Sequence, residues 1–121
     1  MLEYDELTYD IRGCVYEVFK CLGAGFVEKV YERALVHELG LKGFDVRAQC
    51  PIEVRYKGFV VGDFYADVLV EDRVILELKA QRQISKENEA QLLNYLKATE
   101  IKVGMLVNFT YPKATIKRFV L

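Results

Sequence analysis

Apolar residues recur at Leu7, Ile11, Cys14, Val15, Val18 and Leu22. This spacing predicts a helix over about 5–21 with one buried stripe. Gly23-Ala24-Gly25 ends it, since glycine suits a left-handed terminus and lets the chain turn. A second helix over about 27–39 would bury Val30, Ala34, Leu35 and Leu39, with Gly40 closing it. The period then changes from that of a helix to that of a strand. Residues 44–48 read as a short strand. After Pro51, the alternation of Ile52, Val54 and Tyr56 with Glu53, Arg55 and Lys57 marks a second, half-exposed strand that leads to a turn at Lys57-Gly58. Residues 62–80 read as two further strands joined by a short acidic turn. Ser85 is placed to N-cap a third helix ending near Ala98, with Leu92, Leu93 and Leu96 on its buried face. Residues 103–109 and 116–121 complete the strands, and Asn108 is placed to cap a turn before Tyr111-Pro112. The order α, α, β, β, β, β, α, β, β predicts an α/β fold with a mixed central sheet flanked by helices. The third helix should be a crossover that makes its two flanking strands parallel.

The stretch 62–80 carries the chemistry. On its first strand Asp63, Tyr65, Asp67 and Leu69 share one face, and Phe64, Ala66, Val68 and Val70 the other. On the second, Ile75, Glu77 and Lys79 point one way, opposite the apolar set Val74, Leu76, Leu78 and Ala80. Register decides whether Asp67 joins Glu77 and Lys79, because a one-residue slip moves every side chain to the other face. A two-residue loop at Glu71-Asp72 would set Asp67 against Leu76. A three-residue loop, Glu71 to Arg73, sets it directly opposite Glu77, and this register is expected, with Asp72 or Arg73 in the left-handed conformation. Facing carboxylates repel unless a cation lies between them. One alternative is a cross-strand salt-bridge cluster on a solvated face. Against it, Phe59-Val60-Val61 and Val74-Ile75-Leu76 mark central strands, where charge needs a partner or a metal.

Asp67 followed by Glu77-x-Lys79 resembles the motif of the PD-(D/E)XK nucleases, with Ala66 where the naming proline would stand. Gly25-x-x-Glu28-x-x-Tyr31 resembles the motif of the GxxExxY proteins within that superfamily, and Gln91-Leu-Leu-Asn-Tyr95 resembles the helix that follows their core strands. The resemblance runs from about Tyr9 to Arg118 and implies a restriction-endonuclease-like fold. It also implies that Glu28 adds a metal ligand or orients water, and that Gln91 orients Lys79, water or phosphate. Read from position alone, Glu28 is a first-turn carboxylate favoured by the helix dipole. Gln91 alone would be a surface residue, and Tyr31 either holds Glu28 or packs. Asp67, Glu77 and the Leu78 carbonyl form an oxygen set suited to Mg²⁺ or Mn²⁺, with Lys79 beside it to orient or deprotonate water or to stabilise the phosphate. The function implied is metal-dependent hydrolysis of DNA or RNA phosphodiesters. The alternative is a non-catalytic module on the same fold that binds nucleic acid or protein.

Composition narrows the setting. The 121 residues are expected to form one domain, and a 52% hydrophobic fraction fits an ordered core. The acidic start is unlike a signal peptide, and no apolar run reaches membrane length, so a cytoplasmic location is expected. Three cysteines with one histidine do not make a zinc set, and Cys14, Cys21 and Cys50 read as reduced and structural, with Cys14 and Cys21 facing the core. A net charge of −1 conceals an asymmetry: residues 1–40 hold eight acids and four bases, and residues 81–121 three acids and seven bases. A basic C-terminal face beside an acidic site suits a phosphate backbone, although on charge alone seven bases in 41 residues are an ordinary surface. The modest total charge leaves room for a homodimer or a protein partner to supply affinity.

Overall fold

A computed structural model describes residues 4–121. Two helices, α1 (Asp5–Leu22) and α2 (Glu28–Leu41), precede β1 (Val46–Tyr56), β2 (Phe59–Val70) and β3 (Val74–Lys79). Helix α3 (Lys86–Thr99), β4 (Val103–Asn108) and β5 (Thr115–Val120) follow. The strands form one mixed sheet in chain order, antiparallel except for the parallel β3–β4 pair. Helix α3 is the crossover between those two strands, as predicted. Ser85 caps it in a capping box with Asn88.

The sheet separates two apolar layers. Val68, Val70, Val74, Leu76, Leu78, Met105 and Val107 face α1 and α2, where Ile11, Val15, Leu35 and Leu39 meet them. On the opposite face Ala66, Leu69, Ile75 and Leu106 pack against Leu92, Tyr95 and Leu96 of α3. Every residue of β4 is buried, as befits a strand covered on both sides. Gly104 lets α3 approach: a Cβ there would lie 2.9 Å from Leu92 Cδ1.

Several expectations are corrected. The two short strands expected at 44–48 and after Pro51 are one strand, β1. Proline is tolerated because β1 is an edge strand, where its missing N–H breaks no required ladder. Lys57 and Gly58 both adopt positive φ in the tight turn that joins β1 to β2. Helix α2 runs past Gly40, and the positive φ that follows it is at Gly43. Its buried face includes Tyr31 and Glu32. Cys21 is exposed rather than in the core, with its thiol 3.4 Å from Glu17 Oε2; Cys14 is buried, and all three thiols are free.

Strict alternation along β2 also fails. Ala66 belongs to the α3 side, whereas Val68 belongs to the α1–α2 side. Between them sits Asp67, and β1 is irregular at the same level, where Gln49 has φ +53° between the Ala48–Val68 and Cys50–Ala66 pairs. Both strands of the β1–β2 ribbon therefore change faces together at Gln49 and Asp67. Beyond this point the ribbon continues as a two-stranded arm.

Candidate active site

The β2–β3 register is set by a three-residue loop. Val70 pairs with Val74, Leu69 with Ile75 and Val68 with Leu76, so continuing the register puts Asp67 across from Glu77. The left-handed residues in the loop are Glu71 and Asp72, so Arg73 does not take that conformation. Glu71 is held by its surroundings: its N–H donates to the Asp45 carbonyl, and its carboxylate accepts the Asp45 N–H at 2.6 Å.

The backbone ladder between β2 and β3 ends at Val68–Leu76, and side chains take over. The Asp67 N–H donates to Glu77 Oε1 at 3.1 Å, and the Leu78 N–H donates to Asp67 Oδ2 at 2.8 Å. Each carboxylate thus receives a backbone amide that would otherwise be left unpaired where the strands part. The Lys79 carbonyl accepts the Phe109 N–H on the β4 side. Since successive residues of a strand direct their backbone groups to alternate neighbours, the Leu78 carbonyl faces the β2 side, toward the opening between Asp67 and Glu77.

Glu77 is buried and Asp67 half-buried. Burial pushes the Glu77 pKa up to about 8, reinforced by the Asp67 charge and opposed by its bond from the Asp67 amide and by Lys79. Burial likewise raises Asp67, although the Leu78 amide opposes it; Glu32 adds to the rise, and Gln49 and Lys79 counter it. At neutral pH the facing carboxylates are therefore stable with a proton held at Glu77, or with a cation in its place.

The structure brings Asp67, Glu77 and Lys79 together. Glu28, at the start of α2, is exposed; it adds to the rise at Glu77 as the smallest of the causes. Gln91 lies on α3 one turn before Tyr95 and is not among the residues brought to the carboxylates; the Tyr95 hydroxyl pKa is raised chiefly by burial and then by Glu77 and Asp67, with Gln91 opposing. Tyr31 does not hold Glu28. Its buried hydroxyl donates to the Gly23 carbonyl at 2.6 Å and accepts the Phe26 N–H at 3.2 Å, and its ring stacks on Phe109 with centroids 4.4 Å apart. Tyr31 thereby fixes the loop through Gly25, whose φ of +113° favours glycine, and so sets the entry to α2.

Two contributors were not singled out from sequence. Glu32, one turn after Glu28, is buried, pairs with Lys29 at 2.8 Å and accepts from Gln49 Nε2 at 2.5 Å. The same Gln49 nitrogen lies 3.4 Å from Asp67 Oδ1. The i,i+4 repeat Glu28/Glu32 was the available signal for the first, since both lie on one helix face. No pattern marked Gln49. Asn108, expected to cap a turn, instead accepts the Gln81 N–H and donates to the Gln81 carbonyl, fixing the exit of β3 just after Lys79. The basic C-terminal segment is partly engaged, with Lys117 paired to Glu89 at 3.0 Å.

Among the described residues no group of three or more His, Cys, Asp or Glu side chains forms a metal cage. The donor set is two carboxylates and a main-chain carbonyl. Glu77 Oε2 has no hydrogen-bond partner among the described residues, and Asp67 Oδ1 has only the long contact to Gln49. Such a set fits a hard divalent cation, held by carboxylates together with waters and substrate phosphate oxygens.

The description of the PD-(D/E)XK nuclease superfamily matches residues 5–119. The chain belongs to that superfamily. Its α/β architecture, with a five-stranded mixed sheet and three helices, is the PD-(D/E)XK fold. Among solved structures it is similar to an alkaline exonuclease (LHK-Exo) from Laribacter hongkongensis, at 13% identity and TM-score 0.56, covering 99% of this chain and 72% of that one. It also aligns with the crystal structure of SSO0001 at 15% identity and TM-score 0.49, covering 91% of this chain and 66% of that one. A search of curated proteins returns no match. No helix among the described residues is long and apolar enough to cross a membrane.

Proposed function

We propose that residues 1–121 form one nuclease domain that hydrolyses phosphodiester bonds of nucleic acid with a divalent metal, Mg²⁺ or Mn²⁺. The observation that carries this reading is the facing pair Asp67 and Glu77, two confined carboxylates with oxygens turned to the same opening and Lys79 on the Glu77 face. Asp67, Glu77 and the Leu78 carbonyl would hold the ion, with Glu28 at the margin. When bound, the ion would acidify a water and offset charge on the phosphate. Lys79, a compact ammonium two residues from Glu77 on the same strand face, orients the attacking water and stabilises negative charge on the phosphoryl oxygens. Glu32, through Gln49, keeps Asp67 oriented. Gln91 bears on the site through Tyr95.

Within the superfamily we place the chain with the GxxExxY proteins. The support is physical: the glycine of Gly25-x-x-Glu28-x-x-Tyr31 has a left-handed φ, and the tyrosine clamps the loop that launches the glutamate's helix.

Titration calorimetry with Mn²⁺ tests the site. Wild type and Lys79→Ala should both show saturable binding, Glu77→Ala should lose it, and Asp67→Ala should weaken it. Equal metal affinity and melting temperature in wild type and Asp67→Ala would remove Asp67 from the site. Lys79→Ala should abolish turnover while leaving metal binding and folding nearly unchanged. A non-catalytic binding module on this fold would instead bind nucleic acid with no dependence on Lys79.

A further inference from the structure

Beside the carboxylates, the β1–β2 arm and α3 enclose a cleft of about 780 Å³. Its walls are apolar and aromatic where the two elements meet: Phe64 of the arm lies against Tyr95 of α3, with ring centroids 5.7 Å apart and the rings tilted by 44°. Gln91 and Asn94 line it from α3, offering amide donors and acceptors. Charged residues around it cancel, with Glu53 and Glu87 set against Arg55 and Lys97, and Glu53 already paired to Arg55 at 2.8 Å. The cleft lies beside the candidate active site: Phe64, in its wall, precedes Asp67 on β2 by three residues, about 10 Å of strand.

These features differ from those of a phosphate pocket, which would need net positive charge or converging backbone amides. They suit a flat, neutral, polar-edged ring: aromatic faces to stack on, amides for its edge, and a volume within the range of small-ligand clefts. We propose that the cleft receives an unpaired nucleobase next to the scissile phosphate, so that the substrate class is single-stranded nucleic acid. A base paired within a duplex has its edge and faces engaged and would have to leave the stack to enter. On the other side of the carboxylates, Lys29, Arg33 and His37 recur at four-residue intervals on one face of α2, beside Gln49. Arg33 is exposed there and its guanidinium is available to a phosphate, whereas Lys29 is already paired to Glu32.

The inference rests on the nuclease reading of the carboxylate site for its reacting phosphate. It is tested by binding alone, so it can fail or stand whether or not cleavage is found. The probes are fluorescein-labelled 12-mers, DNA and RNA: single-stranded, the same sequence as a duplex, and a single strand carrying abasic sites throughout its centre. They are titrated with the full chain in EDTA and read by anisotropy. Wild type should bind the ordinary single strand about tenfold or more tighter than the abasic one, the effect of one stacked base, and tighter than the duplex. Phe64→Ala should erase that preference. Asn94→Trp fills the cleft from an exposed helix position, keeps Phe64 in place, and should erase it too. Equal binding of abasic and ordinary strands, tighter binding of the duplex, or an unchanged preference in folded variants would overturn the proposal. So would loss of self-association in Asn94→Trp without loss of oligonucleotide binding, which would assign the cleft to a second copy of the chain.

Discussion

The Glu77 carboxylate accepts the Asp67 amide and the Asp67 carboxylate accepts the Leu78 amide; the cost of burying the pair, and then of their proximity, is visible in the pKa of Glu77. Below about pH 4.5 folded and unfolded chains both hold its proton; from there to about pH 8 only the folded chain does. The folded state binds more protons in that window, so metal-free stability should fall as the pH rises through it and level off above. Asp67, also raised, acts in the same direction. Urea melts between pH 5 and 8 in EDTA should show this loss, with a slope from Glu77 of up to about 1.4 kcal/mol per pH unit. In Glu77→Gln the slope should flatten and stability at pH 8 should rise. Parallel wild-type and variant curves would mean Glu77 is not confined as described. The facing of Asp67 and Glu77, with Lys79 beside Glu77, was legible from sequence because period-two alternation on β3 and one choice of loop length bring them together. Glu32 and Gln49 were not: a buried helix glutamate looks like any surface acid until its partner is known, and that partner sits on β1 at an unforeseen left-handed position.

At the level of elements, α2 and α3 are placed by single residues. Tyr31→Phe removes a hydroxyl that both donates to Gly23 and accepts from Phe26. Leaving those groups short of partners should cost about 1–3 kcal/mol in urea unfolding, with metal affinity also reduced if the loop sets the position of Glu28. An unchanged midpoint would contradict the clamp. In Gly104→Ala the new methyl would meet Leu92 Cδ1 at 2.9 Å, Cγ at 3.1 Å and Cδ2 at 3.2 Å. Displacing α3 should cost about 1–3 kcal/mol and lower the melting temperature. The helices and the parallel crossover were readable from apolar spacing and the Ser85 cap. The single long β1 was not, because Pro51 reads as a strand break unless the strand is known to be an edge. The face change at Asp67 was equally hidden, since alternation assumes a regular strand.

Across the whole molecule, rigidity and exposure are divided. β4 is buried throughout, while the arm beyond Ile52 has no third strand and exposes Tyr56, Phe59, Val61 and Tyr65. Two strands alone are marginal in water. Hydrogen exchange should therefore find arm amides near Val54 and Val60 opening far more readily than those of β4, and addition of a single-stranded oligonucleotide should slow them. Uniform protection along β1, β2 and β4 would contradict this division. On the proposed function, Asp67, Glu77 and Lys79 together cut phosphodiesters. The most direct measurement is cleavage of end-labelled DNA and RNA oligonucleotides, single-stranded and duplex, by wild type and Asp67→Ala in Mn²⁺ or Mg²⁺ and in EDTA. Products are expected with wild type and metal, none in EDTA, and a loss of about a hundredfold or more in the variant. Equal cleavage by the variant or in EDTA would contradict it, as would a wild-type protein that binds Mn²⁺ and every oligonucleotide yet cuts none.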